Sequence, residues 1–291
     1  MKKNYLIAGF LLYTLLPAFA QQNDVIRTDD DVRIFSDYIS KHAAERNASI
    51  GELMVATGKY FLETPYVAKT LELSTPEKLI VNLRELDCTT LVETCLALSR
   101  TLKNKLFDVN QPVDKNFEIF TEELRQIRYR GGKIDEYPSR LHYTSDWIYD
   151  NQKAGIVKNV TKAIGGIPRL VETGIMSKNP DKYIQLKDNP LFISKITATE
   201  ALINARKHYY IPKANVAKRK SGIQSGDMIA FTTNIPGLDT SHVGLAVWEN
   251  NELYLLHASL SDKKVILTSQ SLAAYTQSIK SHTGIMVVRP Q

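Results

Sequence analysis

The chain has 291 residues, with 37 Lys and Arg against 31 Asp and Glu, a formal charge of +6 interspersed with acids rather than clustered. That distribution excludes a nucleic-acid footprint, and 43% apolar content is ample for a packed core. Only Cys88 and Cys95 are present, which excludes a disulfide scaffold.

At the N-terminus, Lys2 and Lys3 precede an apolar run from Tyr5 to Phe19 and the small-x-small signal Ala18-Phe19-Ala20. This pattern predicts a secretory signal peptide over residues 1–20. The run is shorter than the roughly 20 apolar residues of a membrane helix. The expected product is an exported chain, periplasmic or secreted, that starts at Gln21 with a formal charge of +4 and has no membrane anchor.

Between Asp31 and about Leu62, apolar positions such as Ile34, Tyr38, Leu53 and Phe61 predict two helices, the second broken by Thr64-Pro65-Tyr66. Cys88 to Leu102 and Phe117 to Ile127 each carry a helical apolar stripe. Tyr129 to Gly166 reads as a long irregular segment, too aromatic for disorder. The last third changes character. Asp227–Phe231, Val243–Trp248, Leu253–Ala258, Val265–Leu267 and Gly284–Val288 are short, β-prone runs between turn residues, the mark of an antiparallel sheet. Helices followed by a sheet predict an α+β fold, one domain over 21–291 with an irregular and helical insertion at about 105–200.

On one helix, seven residues separate Cys88 from Cys95 by about 10.5 Å, beyond the roughly 7 Å limit for a bridge. Both are expected to be free thiols. Cys95 shares the stripe of Leu91, Leu98 and Leu102 and is assigned to the core. Cys88 precedes that stripe, in the first helical turn, where unpaired N–H groups and the helix dipole favour a nucleophilic thiolate.

Two distant histidines supply the rest of a cysteine-based site. If Asn250-Asn251 forms a tight hairpin turn and Glu249 pairs with Glu252, His257 faces Gly244 and His242 faces Ser259. His242 and His257 are then diagonal neighbours on one face of the sheet. A cysteine nucleophile needs such an imidazole base, itself oriented by a third polar group.

Five motifs in order, Pro65-Tyr66-Val67, Asp87-Cys88-Thr89-Thr90-Leu91-Val92, Gly226-Asp227-Met228-Ile229-Ala230-Phe231, Ser241-His242-Val243-Gly244-Leu245-Ala246 and His257-Ala258-Ser259, resemble those of NlpC-type papain-like cell-wall cysteine hydrolases. Ile127-Arg128-Tyr129-Arg130-Gly131-Gly132 and Ser139-Arg140-Leu141-His142-Tyr143-Thr144-Ser145-Asp146-Trp147 resemble the N-acetylmuramoyl-L-alanine amidase-like branch. The resemblance implies a papain-like core whose nucleophile-bearing helix packs on the antiparallel sheet. It also implies Cys88 as nucleophile, His242 as general base, His257 as the third polar residue and Tyr66 beside the oxyanion. The implied substrate is peptidoglycan or its muropeptide fragments, cleaved between N-acetylmuramic acid and L-alanine through a thioester, without a metal or other cofactor. Candidate substrate contacts are Asp87, Thr89, Arg130, Arg140, His142, Tyr143, Asp146, Trp147 and Asp239. Arginines suit carboxylates, and aromatic faces suit sugar rings. Internal struts of a long loop are the competing reading for Arg140, Asp146 and Trp147, and helix capping competes for Asp87.

Thr89 and Thr90 depart from the commoner Asp-Cys-Ser-Gly motif, which weighs against a γ-D-glutamyl-L-diamino acid endopeptidase. A permuted lipid-directed acyltransferase would place its histidine before its cysteine, the reverse of this chain. A noncatalytic wall-binding module would need no ionisable cysteine–histidine pair. Zinc binding is disfavoured because the paired Cys-x-x-Cys and His-Glu-x-x-His spacings are absent. A monomer is expected, with no nucleic-acid partner.

Overall fold

A computed structural model describes residues 25–291, so the expected signal peptide lies outside the described residues. The two-residue strands β1 (Val25–Ile26) and β2 (Leu79–Ile80) pair in parallel. The helices α1 (Asp29–His42), α2 (Ile50–Tyr60) and α3 (Cys88–Lys103) each begin at a capping box, formed by Thr28 with Asp31, Ser49 with Glu52, and Asp87 with Thr90. Each box satisfies backbone N–H groups that the first helical turn leaves unpaired.

α4 (Val113–Arg128) packs along α3, with Phe117, Phe120, Leu124 and Ile127 in the same core as Leu91, Cys95, Leu98 and Leu102. It therefore belongs to the main body. The expected insertion starting near residue 105 therefore takes in a helix of the main core, and the excursion after α4 still lends Leu141, Trp147, Ile148 and Val157 to that core. This excursion includes α5 (Thr144–Lys153), β3 (Val157–Asn159), β4 (Ile167–Arg169), α6 (Ile175–Lys178) and α7 (Pro190–Ala205). Tyr137, Tyr143, Val171, Met176, Leu186, Ile196 and Ile203 give it a separate apolar cluster. The stretch expected to be irregular thus contains a helix, α5. Its first turn is capped from far along the chain, where the Asp239 carboxylate accepts the Ser145 N–H and hydroxyl, both at 2.6 Å.

The remaining elements are β5 (His208–Pro212), α8 (Val216–Arg219), β6 (Met228–Thr233), β7 (Thr240–Glu249), β8 (Glu252–Ser259), β9 (Lys264–Leu267), α9 (Leu272–Ser278) and β10 (His282–Pro290). The main sheet runs β4-β5-β10-β6-β7-β8-β9, antiparallel throughout, with β3 also on β10. Its two faces are both covered, which explains the nearly continuous apolar strands. Met228, Ala230, Leu245, Val247 and Met286 face the core of α2, α3 and α4. Ile229, Phe231, Ala246, Leu255 and Ile285 face a second core that includes Leu272 of α9. The architecture is thus a mixed α/β fold of helices against an antiparallel sheet. Among the described residues no helix is long and apolar enough to cross a membrane.

The hairpin β7–β8 adopts the expected register, Glu249 opposite Glu252 and Leu245 opposite Leu256. Asn250 and Asn251 take φ of 48° and 62°, the left-handed values of a tight two-residue turn.

Candidate active site

The N-terminus of α3 is fixed from two sides. Asp87 Oδ1 accepts the Thr90 N–H at 2.8 Å, while the Asp87 N–H donates to Thr90 Oγ1 at 2.8 Å. Just upstream, Leu86 N–H donates to the Pro65 carbonyl at 3.0 Å and Val67 N–H to the Leu86 carbonyl at 3.3 Å. This local ladder holds Tyr66 beside Cys88, close enough for the thiol to help push the phenol up to about 12, after burial as the main cause.

Cys88 occupies the first helical position, half-buried, with the Val243 amide and Thr89 placed to pull its thiol pKa down. Burial, followed by the adjacent Asp87 carboxylate, nevertheless pushes the thiol up to about 12. The helix N-terminus alone does not ionise it, contrary to the simple expectation, because desolvation of a thiolate outweighs the dipole here. At neutral pH the free site holds Cys88 as a thiol.

His242 Nε2 and His257 Nδ1 lie 2.7 Å apart, with the rings edge to face at 87°. His257 is only 2% exposed. Gly244 makes this crossing possible, since a Cβ there would come within 2.9 Å of His257 Cβ and 2.8 Å of the Leu256 carbonyl oxygen. Burial holds His242 down at about 3, with smaller contributions from His257 and His282, and holds His257 down at about 4. Both rings are neutral at pH 7. With Nε2 engaged by His257, Nδ1 is the His242 nitrogen outside this contact.

Cys88, Thr89 and His242 open onto one cleft of about 230 Å³ together with His142, Tyr143 and Asp239. Glu72, Tyr137, Ile175, Met176, Tyr183 and Leu238 complete much of its far wall, so the excursion after α4 forms one side. His142 Nε2 lies 2.9 Å from the Tyr137 carbonyl oxygen, and Tyr143 donates to Glu200 Oε1 at 2.6 Å. Asp239 is spent on α5 and on its own Thr240 N–H at 2.7 Å.

Other expected substrate contacts are not brought to the cleft. Trp147 is 3% exposed and sits in the main core. Asp146 is 1% exposed and clamps Arg130 at 2.6 Å and Arg206 at 2.7 Å. Arg140 is buried against Glu72 at 2.6 Å and donates to the Leu71 carbonyl at 2.9 Å. Arg130, Arg140 and Asp146 are struts that tie the excursion together, because each charge finds an internal partner, and Trp147 is a core residue. Asp87 caps the helix, the reading that competed with substrate contact in the sequence. Conversely, sequence reasoning missed Glu72 in the cleft wall and Tyr275, whose ring lies 5.2 Å from that of His257. Glu72 carried no local signal, and Tyr275 sits on a helix of only seven residues.

Four histidines, His257 and His282 buried and His142 and His242 half-buried, make the fold acid-sensitive. His142, His242, His257 and His282 all lie well below 6.5, at about 3, 3, 4 and 4, chiefly through burial. Below pH 6.5 the unfolded chain binds protons that the folded one refuses, so stability is full above 6.5 and falls from there toward 4. The slope is up to about 1.4 kcal/mol per pH unit for each ring. The urea midpoint is expected to drop clearly between pH 7.5 and pH 5.0 at constant m-value. An unchanged midpoint would contradict the burial of these rings.

A family model described as AmiA-like, N-acetylmuramoyl-L-alanine amidase-like, matches residues 56–285. A crystal structure of an N-acetylmuramoyl-L-alanine amidase from Bacteroides uniformis ATCC 8492 is 40% identical, with a TM-score of 0.77 over 83% of this chain and 99% of that one. A Bacteroides fragilis structure, provisionally named a xylanase, is 39% identical, with a TM-score of 0.74 over 80% of this chain and 99% of that one. A protein of Legionella pneumophila str. Philadelphia 1 is 25% identical, with a TM-score of 0.63 over 88% and 94% of the two chains. No curated protein matches the chain.

Proposed function

The chain belongs to the AmiA-like, N-acetylmuramoyl-L-alanine amidase-like family, and from that premise we propose a papain-like cysteine amidase that cleaves between N-acetylmuramic acid and L-alanine. The observation that carries this reading is the 2.7 Å contact between His242 and His257 at the cleft that also holds Cys88. His242 Nδ1 takes the Cys88 proton as the sulfur attacks the amide carbonyl. Developing oxyanion charge meets the Cys88 backbone N–H, at a helix position without an internal acceptor, and the Tyr66 hydroxyl. His242 returns the proton to the alanine nitrogen, which leaves as a free amine. The lactyl carbonyl stays on Cys88 as a thioester. Water, deprotonated by His242, attacks that thioester and regenerates the thiol.

The raised thiol and lowered imidazole pKa both oppose an ion pair in the free site, so in this scheme the proton leaves Cys88 only as the sulfur attacks the carbonyl. Thr89, His142, Tyr143 and the excursion after α4 form the wall for sugar and peptide. We place the enzyme outside the cytoplasm, from the leader-like pattern of Lys2-Lys3, the apolar run Tyr5 to Phe19 and Ala18-Phe19-Ala20.

Two readings compete. An endopeptidase would use the same three groups within the stem peptide, but Thr90, 3% exposed, is committed to the helix cap at a position where the commoner motif has glycine. A glycosidase, as the name of the Bacteroides fragilis relative would suggest, needs two carboxylates flanking its bond. The cleft acids Glu72 and Asp239 are tied to Arg140 and to Ser145 and Thr240. Incubation with defined muropeptides, read by mass spectrometry, is expected to release intact stem peptide beginning with L-alanine. Products cut after D-glutamate, with the sugar–alanine bond intact, would assign the endopeptidase activity instead.

A further inference from the structure

The proposed mechanism, on which this inference rests, fixes proton positions along the histidine pair. His242 accepts at Nδ1, so its own hydrogen is on Nε2 and points to His257 Nδ1. His257 must then carry its hydrogen on Nε2. That nitrogen is buried, and among the described residues it has no hydrogen-bond partner. An orphaned buried N–H is costly unless something compensates it.

The group packed against it is aromatic. Tyr275, on α9, holds its ring 5.2 Å from that of His257 at 61°, and 6.4 Å from that of His242. Phe231 and His282 close the far side, at 5.4 Å and 6.0 Å from the Tyr275 ring. α9 itself is anchored by Leu272, fully buried in the second core, and by Ser271 at its N-cap. A π face accepts an N–H weakly, and a ring in this place also keeps water from the histidine pair.

We propose that Tyr275 is a positioning residue: its ring receives the Nε2–H edge of His257, fixing the tautomer that turns His242 Nδ1 toward the thiol, and shields the His242–His257 bond from water. Charged and titratable groups around the pair come from several elements. Cys88 lies on α3, His282 on β10 with Lys213 near it, and Asp262 in the β8–β9 turn faces His257. None of them supplies a hydrogen-bond acceptor to His257 Nε2 among the described residues.

The test is a pH titration of the ring nitrogens of full-length protein by two-dimensional proton–nitrogen NMR, for wild type, Tyr275→Phe and Tyr275→Ala, alongside kcat and KM. Wild type is expected to show both rings protonated on Nε2 and neutral well below pH 6. Tyr275→Phe keeps the ring and should match it. Tyr275→Ala admits water, so the His257 tautomer becomes mixed and both titrations move toward the ordinary histidine range by about one unit or more. The same variant should lose about tenfold or more in kcat at nearly constant KM, with the acid limb of its pH profile shifted upward. If the alanine variant does not fold, Tyr275→Val keeps packing on α9 while removing the ring, with the same tautomer change expected. Unaltered tautomers and titrations in the ring-less variant, or equal damage from Tyr275→Phe, would overturn the role. The NMR readout needs no turnover, so it stands apart from failure of the amidase reading, which full activity of Cys88→Ala would reveal.

Discussion

Cys88→Ala is expected to lower turnover of the muramoyl–alanine amide by on the order of ten-thousandfold or more, with the folded state intact. In the proposed mechanism the sulfur forms the acyl intermediate, and its loss leaves His242 with no thiol to activate. Binding groups and the oxyanion site can then only position water, which is a far weaker catalyst. Cys95 provides the control on the same helix. It is completely buried among Leu91, Leu98 and other core residues. Cys95→Ala should keep the rate and cost about 1 kcal/mol of stability as a small core deletion. A thiol reagent applied to the native protein should label Cys88, which opens on the cleft, well before Cys95. Comparable rates for Cys88→Ala and wild type would remove the cysteine mechanism altogether.

The largest expected effect on stability lies away from the cleft. Arg128 at the end of α4 donates from Nε to Glu93 on α3 at 2.7 Å and from a terminal nitrogen to the Ile80 carbonyl at 2.6 Å. Both side chains of the pair are 3% exposed. Glu93→Ala would strand a guanidinium in the interior, and the cost is expected to be about 3–5 kcal/mol, visible as a large fall in the urea midpoint. Replacing both partners together, as in Glu93→Met with Arg128→Leu, should recover most of that loss because no buried charge is left alone. A loss below about 1 kcal/mol for Glu93→Ala would mean that water reaches Arg128.

The hairpin that carries the histidines was legible because its information is local. Asn250-Asn251 tolerates positive φ, and strand alternation then decides which side chains share a face. The same holds for α3, where a capping signal at Asp87 and an apolar stripe lie within one segment. The wall of the cleft was not legible, because it is built from contacts distant in sequence. α5 depends on Asp239, 94 residues away, and Asp146 depends on Arg206, 60 residues away. Arg140, Asp146 and Trp147 have the composition of a binding surface, and their partners, visible in three dimensions alone, make the first two struts and the third a core residue. Composition also concealed the environment of Cys88. Position at a helix N-terminus is readable, whereas the enclosure that raises its thiol depends on β7 folding against it.

The central claim joins a nucleophile to a bond, and the acyl-enzyme reports on both. Wild-type protein mixed with a muropeptide, quenched in acid within the first turnover and measured by intact-protein and peptide mass spectrometry, should carry a muramoyl group as a thioester on the tryptic fragment containing Cys88. A peptidyl adduct on Cys88, or a sugar-bearing product formed at full rate with no adduct on any residue, would contradict it.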